Sequence, residues 1–359
     1  MDHNSRLQRT QAAIEQLRLD ALLVSHLPNI RYLCGFTGSA GVLLITARDK
    51  ALLTDGRYTE QAKQEVKAAK VKIVKKSALA AAAEWLQRHP RLARIGIESS
   101  HLTVAERDSL AKAIGRRTKI IATAQVIESL RVVKDAEEIS AIREACRLGV
   151  DLFRTVTSRM RPKITESQLA GELELSARQA GAEQMAFSTI IAGGQRSALP
   201  HGRASSAPIP AEGFVVCDFG VILAGYCSDM TRTVHLGRPQ NEANSAYQAV
   251  KEAQQAALDA VKPGTTFGAV DHAARKLLYN RGLGKFFTHS TGHGLGLEIH
   301  EAPKIAAAQK EVLRPGMVIT IEPGVYLPGK WGVRIEDTVA VTETGCEILT
   351  PCPKDLLTL

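Results

Sequence analysis

Residues 288–301 read T-H-S-T-G-H-G-L-G-L-E-I-H-E, and the reading of this stretch decides the rest. It carries His289, His293 and His300, with Gly292, Gly294 and Gly296 among them. Histidine supplies a neutral nitrogen ligand or a proton carrier near neutral pH. Glycine lets the backbone approach a ligand closely, because no Cβ stands in the way. Taken alone, the stretch reads equally well as a flexible surface loop that happens to hold histidines. The choice depends on whether other segments supply partners for them.

Two segments do. Residues 212–234 place Asp218 and Asp229 in apolar runs on either side of a turn near 223–225. With the turn centred between Leu223 and Ala224, the two aspartates fall opposite each other on one sheet face, Cβ atoms about 5 Å apart. A different register would leave one of them as a turn or cap residue. Glu322 closes an apolar run at E-P-G, where Pro323 forces extended backbone on it. Glu336 returns in G-V-R-I-E-D after a turn at Pro328-Gly329, so Glu322 and Glu336 sit symmetrically about that turn. The alternative for Glu336 is a surface ion pair with Arg334. Carboxylates this close repel one another and are costly to bury, and a shared cation removes that cost.

Four carboxylates and one imidazole form a hard, oxygen-rich donor set without thiolates, suited to manganese, cobalt or iron. Their negative charge roughly matches two dications and leaves room for a bridging water or hydroxide. Two metal ions about 3.5–4 Å apart lower that water's pKa and clamp both sides of a displacement. The chemistry this implies is metal-assisted hydrolysis.

Composition agrees with an enzyme of this kind. A chain of 359 residues suits two domains of ordinary size. Hydrophobic content of 45% and charged content of 23% are those of a soluble globular protein. No apolar run reaches membrane-spanning length. The first residues read as a charged amphipathic helix, not as a secretory signal. The cysteines (34, 146, 217, 227, 346, 352) are scattered with no CxxC pair, which points to reduced thiols in the cytoplasm. The net charge of +9 is spread along the chain, and aromatic residues are only 4%, so few stacking platforms exist for bases. Neither a nucleic-acid nor a membrane partner is expected.

Up to about residue 130, short apolar runs alternate with amphipathic helices. Helices are expected over 5–18, 77–88 and 103–114, and strands at 21–24, 71–74, 95–97 and 120–122. A hairpin is expected from 42–45 and 51–54. This is an α/β pattern. From 131 onward the pattern changes. Long helices are expected from Asp135 to about 159, from Thr165 to about 181, and over 241–260 and 266–281. Asp135 with Glu138, and Thr165 with Gln168, have capping-box spacing. Strands are expected at 187–192, 214–219, 230–234, 317–321, 331–335 and 338–341. The second half is therefore α+β, with paired helices segregated from a largely antiparallel sheet.

These motifs resemble the pita-bread metallopeptidases, the family of methionine aminopeptidase, aminopeptidase P and prolidase. The matching pieces are Asp218 in D-F-G, Asp229 in S-D-M-T-R-T, His293 in G-H-G-L-G-L-E-I-H-E, Glu322 in E-P-G and Glu336 in V-R-I-E-D. The resemblance implies a creatinase/prolidase-like N-terminal domain over 1–130 and a pita-bread catalytic domain over 131–359. The T-D-G-R-Y at 54–58 resembles the extra domain of the proline-specific branch.

It further implies that Asp218, Asp229, His293, Glu322 and Glu336 hold two divalent ions. Manganese is expected first, with cobalt, zinc or iron as alternatives. Glu322 would double as general base. His201, in L-P-H-G, and His300 would face the substrate and stabilise the oxyanion. His289 and Arg334 would also contact substrate. The substrate implied is a peptide with proline in second position, cut by an Xaa-Pro aminopeptidase, with an Xaa-Pro dipeptidase as the alternative. A homodimer is expected on the same resemblance.

Other readings fit less well. The D-F-G motif occurs in protein kinases, but no phosphate loop or H-R-D loop accompanies it here. Creatinase resembles a branch without the metal ligands, whereas all five are present. A non-catalytic pita-bread binding protein would have lost ligands.

Overall fold

A computed structural model of the protein describes residues 1–359. The chain divides into two compact units, Met1–Arg131 and Val132–Leu359.

The first unit begins with helix α1 (His3–Gln16), strand β1 (Ala21–Val24) and helix α2 (Leu27–Cys34). The hairpin of β2 (Val42–Thr46) and β3 (Lys50–Asp55) follows, then α3 (Thr59–Glu65) and β4 (Lys70–Val74). Next come α4 (Ala78–Gln87), β5 (Arg94–Glu98), α5 (Val104–Ile114), β6 (Lys119–Thr123) and the short α6 (Glu128–Arg131). The strands form one sheet in the order β4-β3-β2-β1-β5-β6. Only β2 runs antiparallel to its neighbours. Leu23, Leu44, Leu53, Ile95 and Ile97 from the sheet pack with Ala82, Leu86 and Leu110 from the helices.

The second unit opens with two helices, α7 (Ala136–Arg159) and α8 (Glu166–Gln179), each started by a complete capping box. The Asp135/Glu138 and Thr165/Gln168 spacings therefore do what their sequence implies. Strands β7 (Gln184–Met185), β8 (Ile190–Gly193), β9 (Gly213–Phe219), β10 (Val221–Leu223), β11 (Tyr226–Cys227) and β12 (Met230–Leu236) follow. Helices α9 (Asn241–Ala260) and α10 (Phe267–Asn280) lead to β13 (Gly292–Gly294) and β14 (Glu301–Ile305). The last strands are β15 (Val318–Ile321), β16 (Gly324–Leu327), β17 (Trp331–Arg334), β18 (Asp337–Val341) and β19 (Cys346–Ile348).

Each helix pair covers one set of strands. Val150, Phe153, Leu169 and Leu173 pack on Val215, Cys217, Phe219, Met230 and Val234. Val250, Ala253, Val270 and Ala274 pack on Ile319, Ile321, Val333, Ile335 and Val339. Side chains alternate across a strand. With those apolar positions turned to the helices, Asp218, Thr231, Thr320, Glu322, Arg334 and Glu336 are left on the opposite face. Period-two alternation thus delivers the polar residues to one place.

Three expectations need correction. The β9–β12 register pairs Asp218 with Thr231, not with Asp229. The turn centres between Ala224 and Gly225, both with positive φ, as a two-residue hairpin turn requires. The error shifts the register by two residues, so Asp229 keeps the same face and becomes the diagonal neighbour of Asp218. Second, 187–189 lie outside the strand expected at 187–192, and β8 starts at Ile190. Third, residues 288–301 are not simply a loop. His293 lies on β13, which pairs with both β14 and β15. A Cβ on Gly292 would stand 1.9 Å from the Thr320 carbonyl oxygen, and one on Gly294 would stand 2.2 Å from that of Ala302. These glycines serve the approach of strand to strand, where approach to a ligand was expected.

Candidate metal centre

Strands β15 to β18 keep one register through the whole hairpin. Ile321 faces Asp337 and Gly324 faces Arg334, which sets Glu322 opposite Glu336 in the step between the two ladders. Asp229, His293 and Glu336 offer ligand atoms all within 4.8 Å of one another. His293 Nε2 lies 3.5 Å from Asp229 Oδ2 and 3.5 Å from Glu322 Oε1. The fifth residue, Asp218, accepts through Oδ2 from Arg334 Nη2.

Supporting hydrogen bonds orient these side chains. Thr231 Oγ1 donates to Glu336 Oε2 at 2.6 Å. Thr320 Oγ1 donates to Glu322 Oε1 at 3.3 Å and accepts from the His293 amide at 3.1 Å. His293 Nδ1 lies 3.0 Å from the Gly294 carbonyl oxygen. With the proton on Nδ1, the Nε2 lone pair points at the carboxylates, as metal-ligating histidines are commonly arranged. Neither threonine was singled out in the sequence, although Thr231 lies in S-D-M-T-R-T and Thr320 two residues before Glu322.

The electrostatics are those of a site built for cations. Burial, then Glu336 and Asp218, raise the Asp229 carboxyl well above the usual range. Burial, then Glu322 and Asp218, do the same to Glu336. Burial pushes Glu322 up to about 8, against the pull of Arg334. Burial lowers His293 to about 4, so its imidazole is neutral and free to donate a lone pair. Buried carboxylates that repel one another, beside a neutral imidazole, fit two divalent ions in donor type and in charge.

A cavity of about 840 Å³ opens onto this cluster. His201, His289 and His300 line it together with the candidate ligands. The His300 ring is 4.4 Å from that of His293, edge to face, and burial lowers its pKa. His289 Nε2 is 2.9 Å from the Tyr326 hydroxyl, and burial followed by Arg334 lowers its pKa to about 4. Arg334 is almost wholly enclosed. It donates to Tyr326 Oη at 2.7 Å, to the Pro200 carbonyl at 3.0 Å and to Thr231 Oγ1 at 3.1 Å. Tyr326, Phe187, Arg203 and Lys304 escaped the sequence reading. Tyr326 bridges His289 and Arg334, and the other three line the cavity.

Residues 140–343 match the model of metallopeptidase family M24, and residues 6–133 match the creatinase/prolidase N-terminal domain. The chain belongs to metallopeptidase family M24. Its fold is a creatinase-type N-terminal domain followed by a pita-bread catalytic domain, and it is a metallo-exopeptidase. The chain is 36% identical over 355 residues to an Xaa-Pro dipeptidase of Pyrococcus horikoshii, covering 99% of each. Among solved structures it is similar to an Xaa-Pro dipeptidase from Bacillus anthracis, with TM-score 0.96, 37% identity and 100% of both chains covered. It is also similar to an X-Pro aminopeptidase from Thermotoga maritima, with TM-score 0.89, 37% identity, and 97% of this chain and 100% of that one covered. Members of family M24 bind two divalent metal ions, and Asp229, His293 and Glu336 form a candidate group to hold them.

Proposed function

We propose that the protein hydrolyses the bond between a first residue and proline, with free Xaa-Pro dipeptides as the preferred substrates. Asp218, Asp229, His293, Glu322 and Glu336 hold the two ions. When bound, the metals supply Lewis acidity and an acidified water. Glu322 would hold the proton released in the attack at a carboxylate oxygen and hand it to the leaving proline nitrogen, a general-base and general-acid role open to a carboxylate at the reacting bond. His300 and His201 donate to the carbonyl oxygen as it gains charge. His289 and Tyr326 orient Arg334, which in turn holds Asp218.

The observation that favours dipeptides is a pair of cations. Arg203 and Lys304 line the same cavity, are exposed, and form no ion pair. They are free to meet a substrate carboxylate, whereas Arg334 is occupied by Asp218 and Tyr326. The names of two similar proteins point the same way. This moves the weight from the aminopeptidase, which the sequence alone favoured. The aminopeptidase reading keeps two supports of its own: the similar Thermotoga maritima protein is named an X-Pro aminopeptidase, and about 840 Å³ is near the upper end for such sites and leaves room for chain beyond the proline. One assay separates them, an Xaa-Pro dipeptide against an Xaa-Pro-Yaa tripeptide with manganese, cobalt and zinc in turn. Faster cleavage of the tripeptide overturns the dipeptide preference, and hydrolysis of neither overturns the function.

The hard donor set supports manganese first. Six free cysteines support a reducing, cytoplasmic setting. No helix is long and apolar enough to cross a membrane. A homodimer follows from the resemblance to the proline-specific branch.

A further inference from the structure

We propose that Glu166 is a positioning residue for the peptidase reaction, acting through the loop that carries His201. The proposal rests on the function proposed above. Glu166 is the first residue of α8 and is fully buried. Its Oε1 accepts from the Gly193 amide at 2.9 Å. Its Oε2 accepts from the Ser205 amide at 3.0 Å and from Ser205 Oγ at 2.7 Å. Arg196 Nε lies 3.1 Å from Oε1 and 2.9 Å from Oε2, and Arg196 Nη2 donates to the Arg203 carbonyl at 2.7 Å.

One carboxylate therefore gathers both ends of the segment 193–205. The middle of that segment is Leu199-Pro-His-Gly-Arg203, whose His201 and Arg203 line the cavity. On its inner side the segment is tied to the catalytic sheet at two points. Ser197 Oγ accepts from the Gly332 amide at 2.8 Å, and the Pro200 carbonyl accepts from Arg334 Nη1 at 3.0 Å. The loop is thus strung between Glu166 behind it and Arg334 in front of it.

Every group that touches Glu166 is a donor. A buried carboxylate is costly unless its acceptors are filled, and one so filled fixes the geometry of what it binds. Apolar packing alone would close the loop but would not set its register. The isosteric Glu166→Gln places an NH₂ group against N–H donors, so it breaks the clamp with little change of volume. A residue facing substrate must be held within about 0.5 Å to act, and its supporting contacts decide that.

The test is a double-mutant cycle on kcat/KM for an Xaa-Pro substrate, with metal content and thermal unfolding measured for each variant. Glu166→Gln is expected to lose about tenfold or more in kcat/KM with metal content unchanged. In a His201→Ala background the same substitution is expected to cost at least about threefold less than in the natural protein, because one of the two cavity-lining groups on that loop is gone.

A loss that persists undiminished beside His201→Ala overturns the proposal and leaves a merely structural role. A loss below about threefold in the otherwise natural protein also overturns it. If His201→Ala alone changes nothing, the role of His201 falls and this proposal with it, while hydrolysis by the unaltered protein still upholds the peptidase reading. Should Glu166→Gln fail to fold, Ser205→Ala removes one of the bonds to Oε2 and carries the same cycle, with a smaller loss that must again shrink beside His201→Ala.

Discussion

The guanidinium of Arg334 donates from Nη2 to Oδ2 of Asp218, so one carboxylate of the centre is engaged by a buried cation from within the protein. The same guanidinium reaches Tyr326, Pro200 and Thr231. It therefore ties together the strand of Asp218, the hairpin of Glu336 and the loop of His201. Removing one partner of a buried pair costs about 3–5 kcal/mol, because the other charge is left without compensation. Arg334→Met is expected to destabilise the metal-free protein by that order in urea unfolding. Saturating manganese is expected to shrink the loss, since the cation then compensates Asp218. An equal loss with and without manganese would show that Asp218 takes no part in the metal site.

Glu322→Gln tests the proton-transfer role proposed for Glu322. Amide and carboxylate have the same shape, and the Thr320 hydroxyl can still donate to the amide oxygen. Turnover is expected to fall by about 100-fold or more. Circular dichroism should be unchanged, and bound metal should be counted by elemental analysis. A variant that holds its metal and turns over at the natural rate would remove Glu322 from the general-base role.

Much of the centre was legible in the sequence because β-structure has a period of two. Glu322 and Glu336 lie symmetrically about Gly329, and the structure keeps that symmetry through two ladders. The pairing of Asp218 was misjudged by two residues. Ala224 and Gly225 take positive φ as the two central turn residues, a conformation an alanine does not signal, yet an even shift leaves the face intact. What the sequence concealed was the setting. Tyr326, Thr231 and Thr320 are ordinary strand residues, and only the fold brings them against His289, Glu336 and His293. Glu166 looked like the first turn of a helix, and its partners come from 193–205.

The pH dependence of the metal-free protein should carry the signature of the carboxylate cluster. Burial raises Glu322 from 4.5 to about 8, and Asp229 and Glu336 move in the same direction. The folded state then holds protons that the unfolded state has released. The part that Glu322 supplies is full below about pH 4.5 and is lost as the pH rises through about 8, and Asp229 and Glu336 act in the same direction. His289 and His293, lowered from 6.5 to about 4, act oppositely, and their contribution is lost as the pH falls from 6.5 through about 4. The two effects oppose each other up to pH 6.5, and above it only the carboxyl effect remains. The melting temperature of metal-free protein is expected to fall between about pH 6.5 and 8. With saturating manganese the trend should reverse, because cations bind the deprotonated ligands. A metal-free melting temperature that rises across that window would contradict the close packing of these carboxylates.

The glycine ahead of His293 gives the sharpest test of how the 288–301 stretch works. A Cβ at Gly292 would lie 1.9 Å from the Thr320 carbonyl oxygen and 2.7 Å from its carbon, both backbone atoms of β15. Neither can rotate away, so β13 must move off β15. Thr320 also receives the His293 amide and supports Glu322, so the same displacement pulls the imidazole from the carboxylates. Gly292→Ala is expected to cost about 1–3 kcal/mol or more in unfolding free energy, as overpacking does. It should also weaken metal binding in a titration. Gly171→Ala is the matched control. It lies on α8 with nothing within 4 Å of the added Cβ, and is expected to stabilise by about 0.5–1 kcal/mol. If Gly292→Ala binds metal as tightly as Gly171→Ala, then β13 is not what fixes His293.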